Sequence, residues 1–313
     1  MGRKAAGPAH VDSAVEPRIL IISPVRNEAA HIGLVVRSVA AQELQPARWI
    51  VMDDASDDNT LELLHGLEAE VPFLTVAQRT QDAAPAPRDR LARAAAPRNF
   101  NAALALAGDL SDYTHVMKLD GDIELKPSYL RDLMERFAAD PTLGLAGGVL
   151  DEPLAEGGYR RIKIARNHVH GALKCYSLDC FTAIGGVQER LGWDTIDETY
   201  ARMRGFGTLS YTDLVSIHHR PIGSADGTLR GHARHGECAY IAHHPLSWVV
   251  LRSLRVGRRR PVGISGAAFV YGFVRAGARR VERVPDPEYR RFTRRELHRR
   301  MLGVVTPNHE GAR

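Results

Sequence analysis

Cysteine is scarce, with three residues in 313, Cys175, Cys180 and Cys238. An odd number at no zinc-like spacing argues against a disulfide scaffold and against a structural zinc centre. The N-terminus also lacks the positive flank, apolar core and cleavage site of a secretory signal. Together these absences lead to the expectation of a reducing, cytoplasmic protein. No apolar run reaches the roughly 20 residues needed to span a bilayer, the nearest being "PVGISGAAFVYGFV" at 261–274. The first apolar run is followed by "SPVRNEAA" rather than G-x-G-x-x-G, which excludes a dinucleotide-dependent dehydrogenase.

What is present fits a folded chain of one large domain or two: 44% hydrophobic and 25% charged residues. The net charge of +5 conceals an asymmetry. Residues 252–300 hold 15 arginines against four acids, a local +11 that leaves −6 for the rest of the chain. A basic segment of this kind suits a membrane surface, a polyanion or phosphates, or is simply a solvated basic face.

Residues 1–17 have no periodicity and are expected to form a disordered leader. "RILIIS" (18–23), "RWIVM" (48–52) and "FLTVA" (73–77) read as strands. Between them, 28–42 places Ile32, Val35, Val36 and Val39 on one helical stripe, and 57–67 does so for Leu61, Leu64 and Leu67. The Pro-, Ala- and Arg-rich stretch 78–97 reads as a long loop before a helix at 98–107. After the strand in "THVMKLDGDIEL" comes a helix from Pro127 that buries Leu130, Leu133, Met134 and Phe137, then a strand at 143–150. Strands alternating with helices predict an α/β fold with a mostly parallel sheet flanked by helices. Ligands bind such sheets beyond the carboxyl ends of the strands, where Asp53, Asp54, Asp120 and Asp122 all fall.

Two carboxylates one residue apart at a strand end raise each other's pKa and are costly to desolvate. A hard divalent cation, Mg²⁺ or Mn²⁺, resolves that cost by taking carboxylate oxygens and completing its shell with water and phosphates. The bland reading is an exposed Asp-Gly turn.

Five segments in order carry a resemblance: "IISPVRNEAAHI" (21–32), "VMDDASDDNT" (51–60), "RNFNAALALAGD" (98–109), "KLDGDIEL" (118–125) and "LGLAGGVL" (143–150). Over residues 18–220, and more weakly to about 300, the chain resembles the inverting family-2 glycosyltransferases, nucleotide-sugar enzymes of GT-A fold. The resemblance implies that Pro24, Arg26, Asn27 and Glu28 line a nucleotide pocket with Asp54, or its neighbour Asp53, accepting from the base. It puts Arg98 at the phosphates or base, Asp120 at the ribose or the metal's water shell, and Asp122 on the metal. Inverting transfer is one in-line displacement that needs a carboxylate base and neutralisation of the departing diphosphate. Counting back from Gly205 over the family's spacing puts Asp194 at the base position, with Trp193 where the family has another acid. Asp197 and Glu198 are alternative bases, or charges that stabilise a helix N-terminus. Of His218 and His219, which alternate if they lie on a strand, one could be a further metal ligand. Arg220 could meet the diphosphate, and His170 with Gly171 could line the acceptor side.

The resemblance therefore implies a GT-A domain over 18–240, with a nucleotide-binding half (18–125) and an acceptor and catalytic half (126–240). A basic helical extension, 241–313, follows and could rest on an anionic membrane surface, or pack against the domain. The expected partners are a nucleotide-diphosphate sugar, UDP-linked by preference, and a saccharide or lipid-linked acceptor; nucleic acid is not expected. The expected place is the cytoplasm, peripheral to the inner face of the plasma membrane. Two rival readings are a sugar-1-phosphate nucleotidyltransferase, whose Gly-rich basic loop is missing from 23–33, and a non-catalytic polyanion-binding scaffold.

Overall fold

The apolar run after Pro17 becomes the buried strand β1 (Ile19–Val25), and the four-residue stripe expected after it is buried on α1 (Ile32–Ala40). The computed structural model describes residues 16–79, 94–220, 227–258 and 262–303; the expected leader, apart from residues 16 and 17, and most of the 78–97 loop lie outside them. β2 (Arg48–Asp53), α2 (Thr60–Glu68), β3 (Leu74–Gln78), α3 (Ala95–Ala105), β4 (His115–Leu119), β5 (Ile123–Glu124) and α4 (Tyr129–Ala139) follow. The second half adds β6 (Leu143–Pro153), β7 (Tyr159–Arg161), β8 (Leu173–Ser177), α5 (Leu178–Ala183), α6 (Trp193–Met203) and β9 (Gly207–His218). Four helices close the described chain: α7 (Thr228–Ile241), α8 (Leu246–Gly257), α9 (Ile264–Ala278) and α10 (Pro287–Met301).

One sheet runs β3-β2-β1-β4-β8-β6-β9-β5, with β7 on β6. β3, β2, β1 and β4 pair in parallel; β8 enters antiparallel to both β4 and β6, and β9 lies parallel to β6. Six of the nine strands thus point one way, the mostly parallel α/β sheet that the alternation predicted. Strand residues alternate between two apolar layers. Ile19, Ile21 and Val25 face Val35 and Val36 of α1 and Leu133 and Phe137 of α4. Leu20 and Ile22 face Phe100 of α3, Phe181 of α5 and Ile196 of α6. Each large side chain so enclosed contributes about 1.5–3 kcal/mol.

Three details differ from expectation. On α2 only Leu64 of the leucine stripe is buried, and Thr60 joins it because its hydroxyl accepts from the Glu28 amide at 2.8 Å. α3 begins at Ala95, inside the stretch read as loop. Residues 155–180, where no strand is predicted, contain β7 and the central strand β8, whose lysine masks its strand character.

The last helices form a layer of their own. α7 crosses α9 so closely that a β-carbon on Gly236 would stand 1.9 Å from the Phe269 carbonyl oxygen, and one on Gly272 would stand 1.8 Å from that of Ala233. By this packing the helical layer starts with α7, ahead of the expected boundary at 241. The segment 261–274 lies largely within α9, which packs by Phe269, Gly272 and Ala276. Among the described residues no helix is long and apolar enough to cross a membrane.

Candidate active site

The carboxyl ends of β1, β2 and β4 open on one edge of the sheet, and β9 brings its own end to the same edge because it runs with them. β5 pairs Ile123 with His218, which draws the Asp120–Asp122 turn against the end of β9. Three motifs far apart in sequence meet there.

Asp122 is buried, and its Oδ2 lies 3.5 Å from His218 Nε2 and 4.0 Å from Arg220 Nε. Burial pushes this carboxyl up, but His218, Arg220 and Lys118 outweigh it and hold it below the usual aspartate value. Of the two histidines, His218 is the one that faces the turn. His219 bonds Glu124 at 2.8 Å and stacks on His31. Behind His218 stands Glu152, 3.8 Å from Nδ1 and itself held by Arg160 at 2.5 Å. Asp120 is the more open of the pair, its side chain 36% exposed, and it accepts from Lys118 Nζ, which also donates to the Gly171 carbonyl at 2.9 Å.

Asp122 and His218 are a hard oxygen and an imidazole nitrogen already converging, and Nδ1 of that histidine is buried without a hydrogen-bond partner. Among the described residues no group of three or more His, Cys, Asp or Glu is arranged to hold a metal. Two protein ligands suit a cation that takes the rest of its shell from water and substrate phosphates, as Mg²⁺ commonly does. The donor set fits such an ion.

On the nucleotide side, Asp53 and Asp54 are placed differently. Asp53 is fully buried and its carboxylate accepts from the Ser56 amide and hydroxyl, so it does not reach the crevice. Asp54 is half-buried, with its amide on the Val25 carbonyl. Pro24 sits in β1 opposite Met52, and Arg26 reaches the Asp54 carbonyl at 3.3 Å. Asn27, in the left-handed backbone region, exchanges side-chain bonds with Asp57 (2.6 and 3.0 Å) and so fastens the two strand-end loops together rather than facing a ligand. Glu28 is also withdrawn from the expected pocket lining. It is buried, bonds Arg220 at 2.7 Å, and is pushed up to about 8 by burial and by the nearby Asp122 against the pull of Arg220. Arg220 is thus engaged with protein carboxylates. Arg98, in the first turns of α3, has a buried Nε without a partner; the adjacent Asn99 is bonded by Arg79, whose amide donates to the Asp53 carbonyl.

The three acids of α6 separate sharply. Asp197 accepts from Lys174 at 3.1 and 3.2 Å and from the Tyr176 hydroxyl, and is buried. Glu198 accepts from His168 at 2.9 Å and from the Val169 amide at 2.8 Å, and is equally buried. Both belong to a structural network under the site, so neither suits the role of base, and neither is a solvent-facing helix-end charge. Asp194 is only half-buried. Its Oδ2 borders Gly171: a β-carbon there would lie 3.5 Å from that oxygen and 3.3 Å from the Trp193 ring. Gly171 thus lies close against the start of α6, and His170 beside it is held neutral, pushed down to about 4 mainly by burial.

Sequence reasoning passed over Lys118, Lys174, Glu152 and Arg79. The signal for the lysines was there: a charge inside an apolar strand, in "VMKLD" and "ALKCY", requires a buried counter-charge.

A model of glycosyl transferase family 2 matches residues 20–186, just over half of the chain. The chain belongs to that family. Solved glycosyltransferases share its fold. The mannosyltransferase PcManGT from Pyrobaculum calidifontis, in complex with GDP-Man and Mn²⁺, aligns with a TM-score of 0.54 at 17% identity, over 93% of this chain and 88% of that one. S. aureus TarS 1–349 in complex with UDP-GlcNAc aligns with a TM-score of 0.53 at 14% identity, over 92% and 84%. No curated protein sequence matches. The residues matched to the family include the DGD turn, while Asp194 and His218 lie beyond them.

Proposed function

We propose that this glycosyltransferase is metal-dependent and inverting, moving a sugar from a nucleotide-diphosphate donor, UDP-linked by preference, to a saccharide or lipid-linked acceptor in surface polysaccharide or glycolipid assembly. The observation that supports it most is the close approach of Gly171 to the start of α6. Gly171 is bordered by the open carboxylate of Asp194 and joined through Lys118 to Asp120. A single displacement at an anomeric carbon needs one open carboxylate beside the acceptor and positive charge beside the leaving group. α6 offers one such acid.

In this reading Asp54, Arg26, Pro24 and Arg98 receive the nucleotide, and Asp120 the ribose. Asp122 and His218 would hold Mg²⁺ or Mn²⁺, which when bound neutralises the diphosphate as it departs. Asp194 takes the proton from the acceptor hydroxyl, and neutral His170 lines the acceptor side without competing for that proton. Neighbours of the same fold carry GDP-Man with Mn²⁺ and UDP-GlcNAc, which supports a nucleotide-sugar donor without choosing the base.

The test is nucleotide release across UDP-, GDP- and dTDP-sugars, with and without Mn²⁺, for wild type and Asp122→Asn. Metal-dependent turnover of one donor, lost in the variant, is the expected result. Binding of no sugar nucleotide with metal present would overturn the reading and favour the arginine-rich scaffold.

A further inference from the structure

The outer surfaces of α8 and α9 are apolar and uncovered among the described residues. On α8, Leu246, Val250 and Leu254 recur every four residues and stand open, Leu246 at 69% and Leu254 at 63% exposure. On α9, Ile264, Tyr271 and Val274 share the face opposite the one that packs on α7. The two helices touch where Gly266 meets the Ser253 carbonyl and Gly257. A monomer surface rarely leaves so much apolar area in one place without a partner.

The charges around this face point to the partner. From 238 to 281 the chain has eight arginines, no lysine and no acid. Arg255 and Arg258 flank the α8 stripe, and Arg275, Arg279 and Arg280 gather at the end of α9. A second protein surface would need only the apolar part, and a polyanion only the arginines. An anionic bilayer takes both, with acyl chains against the apolar face and phosphates against the rim. Crossing is excluded by length: the 15 residues of α9 rise about 22 Å, against a hydrocarbon core of about 30 Å.

We propose that the α8–α9 hairpin docks the enzyme on an anionic lipid bilayer, lying in the interface without spanning it. The inference stands on the surface alone and does not depend on the transferase reading. Placement supports it as well. α9 lies against α7, which brings Cys238 to Gly192 at the head of α6, so the hairpin is tied to the sheet domain and not held on a free linker.

The test is co-sedimentation of the full chain with phosphatidylglycerol vesicles and with phosphatidylcholine vesicles over a salt series. Strong, salt-sensitive binding to the anionic vesicles and weak binding to the neutral ones is expected. Arg255→Ala with Arg258→Ala should lower partitioning by about 25-fold, about fivefold for each arginine. Tyr271→Glu with Val274→Glu should lower it by more than about tenfold, with an unchanged melting temperature because both positions are exposed. Should that pair fail to fold, Tyr271→Trp gives the same information, since brominated lipid should quench its added fluorescence. Three results overturn the proposal: no binding to anionic vesicles at low salt; binding, to vesicles or a free polyanion, that the apolar pair leaves unchanged; or a stable dimer in light scattering that the apolar pair dissolves.

Discussion

Lys118 and Lys174 are register partners on the antiparallel strands β4 and β8, and both are buried. Each finds its own counter-charge, Lys118 in Asp120 and Lys174 in Asp197 with Glu198. The ring of Trp193 faces both ammonium groups, at 5.5 and 5.4 Å. The negative face of this indole attracts the two cations without adding a third charge. Removing one partner of such a buried set leaves the others uncompensated. Lys174→Met is therefore expected to cost about 3–5 kcal/mol in urea unfolding, and a loss below about 1 kcal/mol would show that the network is not held by charge.

Asp194 and Asp197 are one helical turn apart and should behave as opposites. Asp194→Asn is expected to lower kcat by about 10²–10⁴-fold, with donor binding and melting temperature retained. Asp197→Asn should lower stability, with its activity loss following the folded fraction. Equal kcat losses at unchanged stability would reassign the base.

Gly171 can be tested by crowding its contact with α6. The β-carbon of Gly171→Ala would stand 3.2 Å from Asp194 Cβ, tighter than ordinary contact. Acceptor KM should rise or kcat fall, with nucleotide affinity unchanged in calorimetry. An unaltered acceptor profile would move the acceptor elsewhere.

The His168–Glu198 pair makes stability depend on pH. Burial pushes His168 down, but Glu198 outweighs it and raises the imidazole above its ordinary 6.5. Burial pushes Glu198 up, but Lys174 and His168 pull it down to about 2. A raised histidine stabilises fully below 6.5 and loses that contribution as pH rises through its folded value; a lowered glutamate stabilises above its ordinary 4.5 and loses that contribution as pH falls toward 2. The melting-temperature gap between wild type and His168→Gln should thus be widest between about pH 4.5 and 6.5 and narrow on the alkaline side. Parallel profiles would contradict it.

The parallel half of the sheet was readable because its strands are continuous apolar runs and α1 and α4 carry clean stripes, each a local signal of burial. β8 was not, since its Lys174 looks like a surface charge until Asp197, 23 residues on, is folded against it. The acids on α6 had the same limit: Asp194, Asp197 and Glu198 share one helical face by spacing, and only packing from β8 and the 168–169 segment distinguishes them. The His218/His219 choice followed strand alternation, but which parity faced inward depended on pairing with β5.

The crossing of α7 and α9 leaves no room for even a methyl group at Gly236 or Gly272, and Cys238 on the same α7 lies against Gly192 at the head of α6. From the outer helices to the acid at Asp194 the chain therefore passes through contacts with no slack. On a bilayer that held the α8–α9 hairpin, the crevice would stand at one height and one tilt above it, so α7 would work as a ruler: an acceptor too short or too long for that height would miss the carboxylate however well its sugar would fit.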